Sequence, residues 1–168
     1  LLLHWNLQSD AQIVLIEPHF AHTDDSITII FDASQGNAGL LGVNPVYMHT
    51  GVISNLSSPG AWRHIVGNWG TADARVRMNY IGNNKHMFRM NIRDFYGIPQ
   101  GETVLQLAFV FRNVDGSRVG KTVDLQDIFV NIYPDDGILL GEWVTPVSSG
   151  IYNTNSNIQI EIAASQDV

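Results

Sequence analysis

The richest chemistry in this 168-residue sequence lies between Tyr47 and Trp69. Within that segment Tyr47, Trp62 and Trp69 supply flat apolar rings, and His49, Arg63, His64 and Asn68 supply hydrogen-bonding groups. Sugar rings have apolar faces edged with hydroxyls. They are held by an aromatic ring on the face and by amide, imidazole or ammonium groups at its rim. Asn83, Asn84 and Lys85 add donors further along, in a polar turn. On an extended strand Tyr47 and His49 share a face opposite Val46 and Met48, so one face is polar and aromatic. Trp62 falls in a stretch flanked by Ser, Pro and Gly, where a large ring is less easily buried. The competing reading makes these rings ordinary core residues, since sandwiches usually bury a tryptophan.

Catalysis has less to work with. The sequence holds no Gly-x-Ser-x-Gly elbow, no His-Glu-x-x-His, no phosphate loop and no dinucleotide fingerprint. His19 and His22 are three residues apart, which sets their rings on opposite faces of a strand and makes a poor start for a metal site. Asp24-Asp25 and Asp135-Asp136 are adjacent carboxylates, whereas a glycosidase needs two brought together across a cleft. Asn113, Asp115 and Ser117 alternate around Gly116 like a calcium loop, but without the closing glutamate, so a turn is the expected structure. A non-catalytic chain follows, with no cofactor and no metal expected.

Charge narrows the partners. The formal net charge is −7 and the nine basic residues are scattered. Without a basic patch to neutralise phosphates, nucleic acid is excluded as a partner and anionic membrane surfaces are disfavoured. Neutral sugars need no net charge. The absence of cysteine removes disulfides and thiolate chemistry. No stretch approaches the ~20 apolar residues of a membrane span. Leu1 to Leu7 is short and apolar, and small residues follow at Ser9 and Ala11, so residues 1–11 are expected to be the remnant of a signal peptide. A secreted or cell-surface location is the corresponding expectation.

The elements that must position these residues are strands. Ile27, Ile29 and Phe31 alternate with Thr28, Ile30 and Asp32, the period of a half-buried strand. Strands are expected at Val46–Val52, Val76–Tyr80 and His86–Ile92, the last two joined by a hairpin turn at Gly82-Asn83-Asn84-Lys85. Val104–Arg112 is the strongest strand, with Leu105, Leu107, Phe109 and Phe111 on one face, and it ends in a turn at Asp115-Gly116. Ile128, Val130 and Ile132 close the set, and Asp94–Tyr96 suits one helical turn. Frequent turns without a 3.6-residue stripe predict an all-β fold, an antiparallel immunoglobulin-like β-sandwich spanning 12–136. Residues 137–168 are expected to form a linker and the truncated start of a second immunoglobulin-like domain, since two strands alone are marginal in water. The alternative is that they complete the first sandwich.

The order of motifs resembles a known family. Val46-Tyr47-Met48-His49-Thr50-Gly51-Val52 is followed by Trp62, by Met78 near Gly82-Asn83-Asn84, and by Leu107-Ala108-Phe109-Val110-Phe111 before Asp115-Gly116. This order is similar to that of bacterial and plant starch-binding modules. Phe31-Asp32-Ala33-Ser34-Gln35-Gly36-Asn37, the Tyr47–Gly51 segment and the Arg93–Arg112 run look closer still to the N-terminal β-sandwich of secreted α-amylase-family proteins of Bacteroidetes. The resemblance covers about residues 20–133, a domain-sized stretch. It implies α-glucan recognition by a polysaccharide-targeting module, with Trp62, Trp69 and Tyr47 at the aromatic positions, His49 beside them, and Asn84 and Lys85 at the polar rim. Covalently linked downstream domains, including any catalytic barrel, would lie outside this sequence. Two departures stand out: Thr50 replaces the usual second aromatic, and Trp62 follows a longer loop. They leave open a structural spacer or interaction domain with no ligand of its own.

Overall fold

The computed structural model describes residues 12–135 in full and, beyond them, the backbone of two strands. The expected signal-peptide remnant at 1–11 lies outside the described residues, as does most of 137–168. The chain divides into two compact units, the larger spanning Gln12–Asp136. That unit is an antiparallel β-sandwich. In the other, β10 (Gly141–Thr145) pairs antiparallel with β11 (Glu161–Ala164).

One sheet of the sandwich contains β1 (Val14–Glu17), β2 (Ser26–Asp32), β5 (Asn79–Gly82) and β6 (Lys85–Asn91), in the order β1-β2-β6-β5. The second contains β3 (Tyr47–Ser54), β4 (Arg63–Val66), β7 (Val104–Arg112), β8 (Val119–Gly120) and β9 (Ile128–Asn131). Its order is β4-β3-β7-β8, and β9 continues along the same edge of β7. We call them the β2–β6 sheet and the β3–β7 sheet.

Alternation decides what faces the core. Ile27, Ile29 and Phe31 of β2 are buried, and Thr28, Ile30 and Asp32 between them are not. Across the sandwich the Phe31 ring stacks on Phe111 with centroids 3.9 Å apart, and Phe111 stacks in turn on Phe109 at 5.5 Å. Burial of such aromatic and aliphatic side chains is the main force joining the sheets. Short α1 (Ile92–Tyr96) is capped by the Asn91 side chain, which accepts from the Asp94 N–H, and by left-handed Gly97. It carries Tyr96 into the core. The Tyr96 hydroxyl lies 2.6 Å from Thr50 Oγ1, which itself donates to the Ala108 carbonyl at 2.8 Å. Thr50 is therefore a core polar link.

Two sequence expectations change. Leu105 does not share the buried face of Leu107, Phe109 and Phe111. Ile53 pairs with Gln106 and Ser54 with Val104, so Leu105 is the extra residue of a bulge and is exposed. The strand expected at Val76–Tyr80 begins later, at Asn79. Ala74–Val76 is instead a 3-10 turn capped by the Asp73 carboxylate, which accepts from the Arg75 N–H.

Candidate functional site

Strand register organises the outer face of the β3–β7 sheet into cross-strand rows. Gly51 lies opposite Ala108, and Ala108 opposite Phe129. One row to one side runs Ile53–Gln106–Asn131; to the other side come His49–Val110 and Tyr47–Arg112. These rows alternate with Met48, Thr50, Val52, Leu107, Phe109 and Phe111 of the inner face, and at the Tyr47 end the phenol ring itself joins the buried core cluster.

The two smallest residues of the face, Gly51 and Ala108, stand side by side, and an indole lies on the glycine. A Cβ added at Gly51 would meet the Trp62 ring at 3.4 Å and the Arg63 carbonyl at 2.9 Å. Trp62 meets Phe129 edge-to-face at 6.2 Å and lies over His49 at 5.9 Å with ring planes 30° apart. Trp69 contacts the same imidazole edge-on, at 5.4 Å and 86°. His49 Nδ1 donates to the Gly67 carbonyl at 2.7 Å, since a carbonyl can only accept, and that bond fixes the ring between the two indoles. Phe129, Trp62, His49 and Trp69 thus make a continuous aromatic run. Trp69 is 49% exposed and Phe129 43%, while Trp62 is half-buried. Ile65 is exposed alongside them.

Two buried charges hold the run in place. Arg112 is fully buried. Its Nη1 donates to the carbonyls of Asn113 and Val114 at 3.0 Å, and its Nη2 to the Asn68 carbonyl at 2.6 Å. It thereby ties the loop carrying Trp69 to the turn that follows β7. The guanidinium also lies 5.3 Å from the Tyr47 ring and 6.0 Å from Trp69. Burial pulls its pKa below the ordinary arginine value, partly opposed by the Asp73 carboxylate. In that turn Gly116 is left-handed, and a Cβ on it would sit 2.5 Å from Trp69 Nε1, so the indole rests on bare backbone.

The second anchor is Glu102, which is 2% exposed. Its carboxylate accepts from Arg63 Nε at 2.8 Å, Ser54 Oγ at 2.5 Å and His64 Nε2 at 3.0 Å. The Arg63 hydrogen bond, aided by those from Ser54 and His64 and opposed by burial, holds its pKa at about 2. The strand that starts immediately after Trp62 is thus pinned by two consecutive side chains.

Trp62, Trp69 and His49 of the expected set come together. The other three do not join them as expected. Tyr47 is 4% exposed, covered by Arg112, and offers no free ring face. Asn84 and Lys85 belong to the β5–β6 hairpin of the other sheet. There the Asn84 side chain accepts from the Gly42 N–H, and the Lys85 ammonium lies 3.7 Å from Asp32. Sequence reasoning missed Phe129, although alternation gave a signal: Ile128, Val130 and Ile132 claim one face and leave Phe129 and Asn131 to the other. Arg112 and Glu102 carried no local signal.

The Asn113–Ser117 segment is a turn in which Asp115 accepts from the Ser117 N–H and hydroxyl. A polar hollow of about 320 Å³ lies at Asp24, Asp25, Arg93 and Tyr133, where Arg93 is paired with Asp24 and Asp25 accepts from the His22 N–H. Among the described residues no three His, Cys, Asp or Glu side chains are grouped to hold a metal ion. No described helix is long and apolar enough to cross a membrane.

The arrangement offers stacking faces and hydrogen bonds, chemistry suited to holding a ligand. No curated protein matches the chain. One family model does, over residues 14–119, a span that takes in His49, Trp62, Trp69 and Arg112 and ends before β9. With that match covering more than half of its length, the chain belongs to the family described as Domain of unknown function (DUF8578).

Proposed function

We propose that the chain is a non-catalytic carbohydrate-binding module that holds an α-glucan on the outer face of its β3–β7 sheet. The observation that carries this reading is the convergence of Trp62 and Trp69 on His49, with Phe129 continuing the run on a solvent-facing surface. Successive rings of the run lie 5.4–6.2 Å apart in mutual contact, and the exposure of Trp69 and Phe129 leaves ring surface at both ends for a sugar to cover. One indole is nearly parallel to the imidazole and the other nearly perpendicular, so the two indoles are steeply inclined to each other. Inclined rings fit a coiled chain better than a flat ribbon, which supports an α-linked polymer. The resemblance to starch-binding modules of exported α-amylase-family proteins supports the same choice. In such a parent the module raises the local concentration of polysaccharide at a tethered hydrolase. A shallow site of this size has an expected Kd between about 10 μM and 1 mM.

The half-burial of Trp62 favours the rival reading, a spacer domain whose rings merely cover the sheet. Affinity electrophoresis in gels with and without soluble starch separates them. The module reading expects retardation of the native chain that Trp62→Ala and Trp69→Ala each reduce. Unchanged mobility of the folded native chain selects the spacer.

A further inference from the structure

The polar rim expected of Asn84 and Lys85 is absent from the aromatic run, and the register supplies a replacement. We infer that Gln106 and Asn131 form the hydroxyl-reading subsite of this surface, taking adjacent hydroxyls of a neutral glucan stacked on Trp62 and Phe129. The inference rests on the glucan-binding reading and deepens it.

Gln106 and Asn131 occupy the cross-strand row next to Gly51–Ala108–Phe129. On each strand they stand two residues from a member of that row, about 7 Å away along the strand, and point the same way. Asn131 is exposed and Gln106 half-exposed. The Gln106 amide donates from Nε2 to Asn131 Oδ1 at 3.0 Å. A primary amide carries two N–H donors and a carbonyl acceptor, so one bond between two amides leaves each with hydrogen-bonding capacity. The Gln106 carbonyl remains an acceptor and the Asn131 NH₂ a donor. A fixed donor and acceptor side by side match a vicinal diol, where one hydroxyl donates and its neighbour accepts.

At the opposite end the charged donors and one imidazole nitrogen are already spent on the protein. Nη1 and Nη2 of Arg112 are committed to three backbone carbonyls beneath Trp69. His49 Nδ1 is committed to Gly67. On the neighbouring strand Arg63 is turned to Glu102. The amide pair is uncharged, which suits a neutral polyol and gives a carboxylated or sulfated sugar no counter-charge. Stacking on the rings would set the plane of the sugar, and the amides would set which of its edges faces β9.

Calorimetric titration of the full chain with maltoheptaose tests this, using Gln106→Met, Asn131→Ala and the double variant beside Trp62→Ala. Each single amide variant is expected to bind about five- to tenfold more weakly, the loss of one neutral hydrogen bond. The double variant should be weaker again, with the thermal unfolding midpoint little changed because both side chains face solvent. Native-like affinity in all three amide variants, with binding lost in Trp62→Ala, would overturn the subsite and leave the module standing. Absence of binding by the native chain overturns the module reading, and the subsite with it.

Discussion

The two outer faces of the sandwich carry the same kind of backbone and have opposite fates. On the β2–β6 sheet, Thr28, Ile30 and Asp32 alternate with the core side chains of β2, and Lys85 and Arg89 stand in water on β6. On the β3–β7 sheet, Ala108, Val110 and Arg112 point outward and yet are 5% exposed or less. Connections account for the difference. The β5–β6 strands are joined by the tight Asn83–Asn84 turn, both residues left-handed, which has no length to fold back over the sheet. The chain between β3 and β5 is long, and it lays Trp62 and Trp69 onto the outer face where Gly51 and Gly116 leave room. A sheet face becomes a shaped surface when small residues in register meet aromatic rings from loops. Without both, alternation simply solvates it.

Two arginines give the largest expected contrast. Arg112 and Arg89 both point outward, but Arg112 is fully buried with three carbonyls on its guanidinium and Arg89 is exposed. Arg112→Ala should cost about 3 kcal/mol or more, through stranded buried carbonyls and a lost stem, and should release Trp69. Arg89→Ala should stay within about 0.5 kcal/mol. Urea unfolding followed by fluorescence measures both. Equal losses would erase the distinction between the faces.

Acid should weaken the two sheets in different ranges. His86 of the β2–β6 sheet is fully buried between Phe31 and Tyr80, with neither ring nitrogen hydrogen-bonded, and burial depresses its pKa below 6.5. The unfolded chain takes up a proton that the folded histidine resists. Stability is therefore complete above the unfolded pKa and falls as pH drops through 6.5. Glu102, in the loop before β7, is lowered from 4.5 to about 2, so its contribution to anchoring the β3–β7 sheet is intact above 4.5 and is lost between there and about 2. Unfolding free energy against pH should show both declines. His86→Leu should flatten the first and Glu102→Gln the second; a profile unchanged by both substitutions would remove the distinction.

The smallest effects belong to the β5–β6 hairpin. Asn84 has φ +59°, a conformation glycine adopts without strain, so Asn84→Gly should change stability by less than about 1 kcal/mol. Lys85→Ala, which removes an exposed pair 3.7 Å long, should change it by less than about 0.5 kcal/mol. Neither should alter mobility in starch gels. Loss of retardation in either would return the hairpin to the binding surface.

Period-two alternation in β2 and β7, the asparagine turn at 83–84, and the short turn around Asp94 were legible in the sequence because each depends on neighbours in the chain. His49, Trp62 and Trp69 were legible as a group for a similar reason: they lie close in sequence and share a chemistry. What joins them was not. Phe129, Gln106 and Asn131 reach the surface through the registers of β7 with β3 and β9, and residue composition does not specify a register. The bulge at Leu105 shows the sensitivity, since one extra residue moves a leucine from the expected core face into water. Tyr47 is a packing residue for a related reason: the Arg112 guanidinium that covers its ring comes from a strand more than sixty residues away. Sequence alone determined the longer strands β2, β3, β6 and β7 and the vocabulary of the site. Tertiary structure decided which rings meet and which polar groups border them, because both depend on pairings between strands distant along the chain.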